Sequence, residues 1–270
     1  MFRTPPTPVV ILEDDHLLAV VKPAGLPTAN APRGVSSLFT MLQAARSGGF
    51  LGVVSRLDAA VSGVVVLAKT RPAAADLSRQ FRDRLVEKHY EAVVEGRFPA
   101  PLGQWVDWHD RITRAGQERR SRLLPGAGAG RSAEPVAGHR DKELGGLEEA
   151  EAEDGACHVR ARVVVRRGEV SLVDLVPTTG RRHQLRAQLA GRGCPIVGDR
   201  TYGARLPFAA AAPGAGHAGG GAAIALHSSR IAFAHPATGR PLMLEAARPA
   251  SWLTRFPGLF TVGHSRPGGD

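Results

Sequence analysis

Val64-Val65-Val66-Leu67-Ala68 is an unbroken apolar run bounded by Gly63 and Lys69. A strand with one solvated face alternates apolar and polar residues, so a short continuous run reads as a strand buried on both faces. The chain must therefore set this strand in the middle of a sheet and cover it from two sides. With 270 residues, 43% of them hydrophobic, it has enough material for one domain of that kind.

The flanking patterns say what kind of sheet this is. Val9-Val10-Ile11-Leu12 and Leu17-Leu18-Ala19-Val20-Val21 read as two strands around the turn Asp14-Asp15-His16. After the central run, Thr70 and Pro72 read as an N-cap and an early helical proline. Leu77, Phe81 and Leu85 then recur at i, i+4 and i+8 opposite Arg79, Arg82 and Arg84, which predicts an amphipathic helix. Further strands are expected at Tyr90–Glu95, at 231–234 and at 242–246, with a hairpin of His158–Val165 and Val170–Val176 around Arg167-Gly168-Glu169. Thr178-Thr179-Gly180 leads into a helix carrying Leu185, Leu189 and Ala190, ended by Gly191 and Gly193. Strands outnumber helices and hairpin spacings outnumber β-α-β spacings, so the expected fold class is α+β on a mainly antiparallel sheet.

Charge narrows the partners. The sequence holds 35 Lys and Arg against 25 Asp and Glu, a formal net charge of +10, and residues 125–156 concentrate eight of the acids against three cations. The rest of the chain is correspondingly more basic, which points to a polyanionic partner, although an Arg- and Ala-rich genome would also give this bias. The acidic stretch and the Ala/Gly/Pro tract at 209–223 have compositions that cannot bury a core, and both are expected to be flexible insertions. Cys157 and Cys194 show no disulfide-framework or zinc-ligand spacing. The N-terminus lacks the apolar stretch of a signal peptide and no apolar run reaches membrane-spanning length, so a soluble, cytoplasmic protein is expected. No phosphate-binding P-loop, zinc-protease helix, nucleophile elbow or EF-hand loop occurs.

Two segments carry candidate chemistry. Ser55-Arg56-Leu57-Asp58-Ala59-Ala60-Val61-Ser62-Gly63 puts a carboxylate and a guanidinium in a loop beside the buried strand, where rigid scaffolds display reactive groups. Thr179-Gly180-Arg181-Arg182-His183-Gln184-Leu185-Arg186 gathers cations and hydrogen-bonding side chains at the start of a helix. Taken singly, each residue also reads as an ordinary turn or surface residue.

These segments resemble the RluA-type family of RNA pseudouridine synthases. Arg56-Leu57-Asp58 with Ser62-Gly63 fits the family's catalytic pattern, and four further blocks follow the family's order. They are 21–26 (Val-Lys-Pro-Ala-Gly-Leu), 87–96 around His89-Tyr90-Glu91, 179–186 with 193–199 and Tyr202-Gly203, and Leu226-His227 with His235-Pro236. The likeness spans about residues 11 to 250. It implies a pseudouridine synthase fold, with a mainly antiparallel mixed sheet flanked by helices over residues 9–256. Outside that domain lie a disordered tail at 1–8, the insertions at 125–156 and 209–223, and a tail at 257–270.

The resemblance further implies a catalytic set of Asp58, Tyr90 and Arg186. Asp58 acts on the ribose as nucleophile or base; Tyr90 packs against the target base and is a candidate to assist proton removal; Arg186 holds Asp58 as a carboxylate. A water-poor pocket favours the neutral acid, and a nearby guanidinium favours the ionised form. Arg56 is the candidate wedge that fills the place of the flipped uridine. Lys22, Lys88, Arg181 and Arg182 are candidate phosphate contacts, and His183, grouped with them as RNA-facing, is expected to order the loop together with Gln184. No metal or redox cofactor is implied; the partner is structured ribosomal or transfer RNA, bound by a monomer. The family's usual His before the Arg is Ser55 here, and two commonly polar positions after the Asp are Ala59 and Ala60. The family's frequent N-terminal S4-like domain is expected to be missing, since the first core strand is expected to begin near Val9. One competing expectation is a non-catalytic RNA-binding protein or RNA chaperone that keeps the cleft; another is an unrelated hydrolase using Asp58 as its nucleophile.

Overall fold

A computed structural model of the chain describes residues 8–46, 48–114, 121–124, 155–208 and 223–260. The expected N-terminal tail to residue 7, the body of both insertions (125–154 and 209–222) and residues 261–270 lie outside the described residues.

The chain begins with the hairpin β1 (Val9–Glu13) and β2 (Leu17–Lys22), then runs through α1 (Leu38–Ala45), β3 (Gly52–Val53), β4 (Ser62–Ala68), α2 (Arg71–Arg82), β5 (Glu87–Glu95), β6 (Trp105–Arg114) and β7 (Ser121–Leu123). The hairpin β8 (Ala156–Arg167) and β9 (Val170–Pro177) leads to α3 (Gln184–Gly191), a short 3-10 turn, β10 (Leu226–Ala234), β11 (Pro241–Glu245), α4 (Ala250–Arg255) and α5 (Pro257–Phe260). The described strands form one sheet in the order β1-β2-β4-β10-β5-β9-β8-β6-β7, with β3 also on β4 and β11 also on β10. Every pairing between these named strands is antiparallel except β4 with β10. The expected α+β class with a mainly antiparallel sheet is what the chain adopts.

The apolar run at 64–68 is β4, and all seven residues of the strand are buried. Its two faces meet different helices. Val64 and Val66 pack with Ala73 and Leu77 of α2, while Val65 and Leu67 pack with Leu38 and Leu42 of α1. Helix α2 starts as its sequence dictates, with the Thr70 hydroxyl accepting from Ala73 N at 3.3 Å. It stops earlier than the periodicity suggests. The chain turns at Arg84, φ +59°, so Leu85 leaves the helix and is 61% exposed, and Val86 takes the buried place. Helix α1 has no counterpart among the sequence expectations; it is nucleated by a reciprocal cap between Ser37 and Thr40. At the far end the core continues past the expected boundary at 256, because Leu259 of α5 is buried with Trp252 and Val165.

The parallel contact between β4 and β10 covers only His227 opposite Ser62 and Ser228 opposite Gly63. Beyond it the strands part, β4 taking β3 and β10 taking β11. One row across the sheet therefore reads Gly63, Ser228, Tyr90, Leu175. Gly63 has φ +124°, and a Cβ there would lie 2.2 Å from the carbonyl oxygen of Ser228. Neither the backbone angle nor the space admits a side chain. Gly63→Ala is accordingly expected to cost about 3 kcal/mol or more, read from a denaturant melt. A variant as stable as the parent would mean that the two strands separate there at little cost.

Candidate active site

The loop that feeds β4 is tied down at nearly every residue. The Ser55 hydroxyl donates to Val66 O at 3.2 Å and accepts from Val66 N at 3.1 Å. Thr28 Oγ1 donates to Leu57 O at 2.9 Å and accepts from Leu57 N at 3.1 Å. Gly25 N donates to Ala59 O at 2.7 Å, Val61 N to Asp58 O at 3.0 Å, and Ile224 N to Ala60 O at 3.1 Å. Ser55, Ala59 and Ala60, which depart from the resembled pattern, thus serve the backbone frame of the loop. Ser55 does so through its hydroxyl and the two alanines through their carbonyls.

Asp58 projects from this frame towards α3. Arg186 Nη1 donates to Asp58 Oδ2 at 3.1 Å, and His183 Nε2 stands 3.5 Å from the same oxygen. Arg186 spends most of its hydrogen bonding elsewhere. Its Nε and Nη2 donate to Asp199 Oδ2 and Oδ1 at 2.6 and 2.8 Å, a two-pronged pair in which the carboxylate is 1% exposed. Its guanidinium also lies 4.9 Å from the centre of the Tyr202 ring. Desolvation works against the buried guanidinium, but the two carboxylates outweigh it and hold its pKa above the ordinary arginine range.

A cleft of about 670 Å3 opens over these groups, lined among others by Arg56, Asp58, Lys88, Tyr90, Arg181 and Ser228. Burial, reinforced by Asp58 and opposed by Ser228, pushes the Tyr90 phenol up to about 12. It is therefore a neutral phenol at physiological pH, suited to packing and to donating a hydrogen bond. Arg56 is exposed at the rim and Arg182 is exposed at the start of the α3 loop. Arg181 is half-buried, with its Nε donating to Ala156 O at 3.5 Å. Lys88 is half-buried in the cleft, donates to Thr179 O at 3.2 Å, and has its pKa lowered by desolvation and by Arg84. Gln184 orders the loop as expected: its Oε1 accepts from Thr179 Oγ1 at 2.8 Å and from Arg181 N at 3.1 Å.

Lys22 is not where the sequence placed it. Its side chain is 0% exposed, and its ammonium donates to Leu26 O at 2.7 Å, Pro23 O at 3.0 Å and Ala59 O at 3.3 Å. Burial pushes it down to about 7, against the pull of Asp58. It is a clasp between the Pro23–Leu26 turn and the Asp58 loop, inaccessible to a phosphate, because β2 is an interior strand and its last side chain points inward. Sequence reasoning also missed Thr28, Asp199 and Tyr202 as partners of the site. The latter two fall inside the blocks that carry the resemblance, but nothing in their spacing couples them to Asp58. Among the described residues no group of three or more His, Cys, Asp or Glu side chains is arranged to hold a metal ion.

The profile of the RNA pseudouridylate synthase family matches residues 16–191. The chain is 31% identical over 244 residues to the dual-specificity RNA pseudouridine synthase RluA of Haemophilus influenzae, covering 88% of this chain and 91% of that protein. It is 30% identical over 243 residues to the ribosomal large subunit pseudouridine synthase C of Vibrio vulnificus, covering 88% of this chain and 65% of that protein. The chain thus spans slightly under two thirds of the length of the latter. Among solved structures, human RNA pseudouridylate synthase domain containing 4 superposes with a TM-score of 0.66 at 23% identity, covering 93% of this chain and 92% of that one. This likeness is one of fold.

Proposed function

The chain belongs to the RluA-type family of RNA pseudouridine synthases, and from that premise we propose that it isomerises a uridine in structured ribosomal or transfer RNA to pseudouridine. The observation that carries this reading is Asp58, held on a loop bonded at nearly every residue, paired with Arg186 and facing a cleft lined by Tyr90. In the reaction the bond from uracil N1 to ribose C1′ breaks, the base turns, and C5 bonds to C1′; C5 loses its proton and N1 gains one, so no oxidant or cofactor is consumed. Asp58 acts on the ribose as nucleophile or base, through Oδ1, since its described polar contacts go to Oδ2. Tyr90 packs on the uracil as a neutral phenol. A neutral phenol is a poor proton acceptor, which speaks against a role as base.

Arg56 at the rim is the wedge that replaces the extruded nucleotide, a step that costs a few kcal/mol. Lys88, Arg181 and Arg182 contact phosphates, and His183 belongs to the Asp58 side of the cleft. The protein acts as a cytoplasmic monomer, and no helix among the described residues is long and apolar enough to cross a membrane. The test is a map of pseudouridine in RNA from cells with and without the gene. Loss of one or more ribosomal or transfer RNA sites is expected; an identical map alongside tight RNA binding would favour the RNA chaperone instead.

RNA affinity should fall linearly with salt on a logarithmic plot, and Arg181→Glu with Arg182→Glu should weaken all RNAs alike. Arg56→Ala should slow modification more than binding, and equal losses in both would remove the wedge. As for the acidic insertion, Leu124 N donates to Arg111 O and Ile112 N donates to Gly155 O, so its two ends flank β6 at adjacent residues. They are separated by two strand spacings, about 10 Å. A short Gly/Ser connector in place of residues 125–154 spans that distance, and the melting temperature should then stay within about 3 °C of the parent, since loop-closure entropy changes slowly with length. A collapse in melting temperature would make the segment part of the folded core.

A further inference from the structure

Asp58 has a second neighbour besides Arg186, whose importance rests on the proposed role of Asp58 as the reacting carboxylate. His183 sits immediately before α3 with φ +54°, a left-handed conformation in which Asn, Asp and His are the most frequent residues after Gly. The imidazole thereby stands between Tyr202 and Asp58. Nδ1 lies 3.1 Å from Tyr202 Oη, and Nε2 lies 3.5 Å from Asp58 Oδ2.

The hydrogens can be placed from the donors around this chain of contacts. Ser121 N donates to Tyr202 Oη at 2.8 Å, so the phenol oxygen is an acceptor towards β7. The Ser121 hydroxyl donates to Arg182 O at 2.8 Å. Tyr202 then directs its own proton to His183 Nδ1, and a neutral imidazole that accepts at Nδ1 carries its hydrogen on Nε2. Both rings are in the protonation state this requires. Burial raises the Tyr202 phenol, while burial with Arg186 and Arg182 lowers His183 against the pull of Asp58 and Asp199.

We propose that Tyr202 and His183 are a positioning pair that fixes the imidazole tautomer and presents its Nε2–H, beside Arg186, to Oδ2 of Asp58. Two donors on one oxygen turn the other, Oδ1, towards the ribose. The separation at Nε2 is long for a hydrogen bond; contacts of this kind tighten when substrate fills the site. Ser121 on β7 thereby acts on a carboxylate far from it in sequence.

The test is a long-range proton–nitrogen spectrum of the full chain labelled at histidine nitrogen, at pH 7 without RNA. His183 is expected as the Nε2-protonated neutral ring, and Tyr202→Phe should mix the two tautomers. On the RNA identified by mapping, Tyr202→Phe should lower the single-turnover rate about 3- to 10-fold, the worth of one hydrogen bond, with RNA affinity unchanged. His183→Asn, whose residue type tolerates the same backbone angle, should lower the rate at least as much while keeping the fold. A parent ring protonated on Nδ1 or on both nitrogens would overturn the proposal, as would Tyr202→Phe with unaltered rate. A parent that forms no pseudouridine would overturn the proposed function, whereas the spectrum still decides the tautomer.

Discussion

Asp58→Asn is expected to abolish pseudouridine formation, lowering the single-turnover rate by at least about 10³-fold, while RNA affinity stays within about 3-fold of the parent. The amide has nearly the shape of the carboxylate, and the loop beneath it is held by Thr28, Ser55, Lys22 and Ile224 through contacts that do not involve the side chain. Binding should therefore persist. What is lost is the oxygen able to attack C1′ or remove a proton. The check is a quenched-flow assay paired with a filter-binding titration. Measurable turnover by the Asn variant would move the chemistry to another group, and a parallel collapse of binding would mean that Asp58 is a structural element of the RNA interface.

Arg186→Ala should have two separable effects. Asp199 is 1% exposed and its carboxylate is paired with this guanidinium, so truncation leaves a buried charge without its partner. Breaking one side of such a pair costs about 3–5 kcal/mol, which for a domain of this size lowers the melting temperature on the order of 10 °C. Removing both charges is a different perturbation. Arg186→Met combined with Asp199→Leu restores a neutral interior and should recover much of the stability. Activity should remain lost in the double variant, because Asp58 still lacks the guanidinium that pairs with it. Calorimetry and the turnover assay read the two effects independently. A double variant that regains turnover would reduce Arg186 to a partner of Asp199.

Lys22 is the converse case: its hydrogen bonds among the described residues all go to carbonyls. Lys22→Met should destabilise the chain, since three carbonyls lose their donor, yet leave the salt dependence of RNA binding unchanged. A flatter salt slope in that variant would return Lys22 to the RNA interface.

What the sequence determined by itself was whatever depends on near neighbours in the chain. The run at 64–68 specifies a strand covered on both faces, because apolar side chains on alternating sides each require burial. Thr70 and Pro72 specify the start of α2, and the hairpin of β8 and β9 follows from its alternation and its turn glycine, Gly168 at φ +54°. The grouping of Asp58, Tyr90 and Arg186 was an expectation carried by the resemblance of their blocks to the RluA-type family, not by spacing within this chain. Only the tertiary structure decided which charges face solvent and which are consumed inside. Lys22 and Arg186 look alike in sequence, as single cations between apolar neighbours, Val21 and Pro23 in one case and Leu185 and Ala187 in the other. Packing sends one to three backbone carbonyls and the other to two carboxylates, one of them 128 residues away. The Ser121, Tyr202, His183 and Asp58 contacts join β7, the 3-10 turn, the α3 loop and the β4 loop. The physical reason is that the energy of a charge or a proton depends on the burial and donors around it, and those come from segments that only the folded sheet brings together.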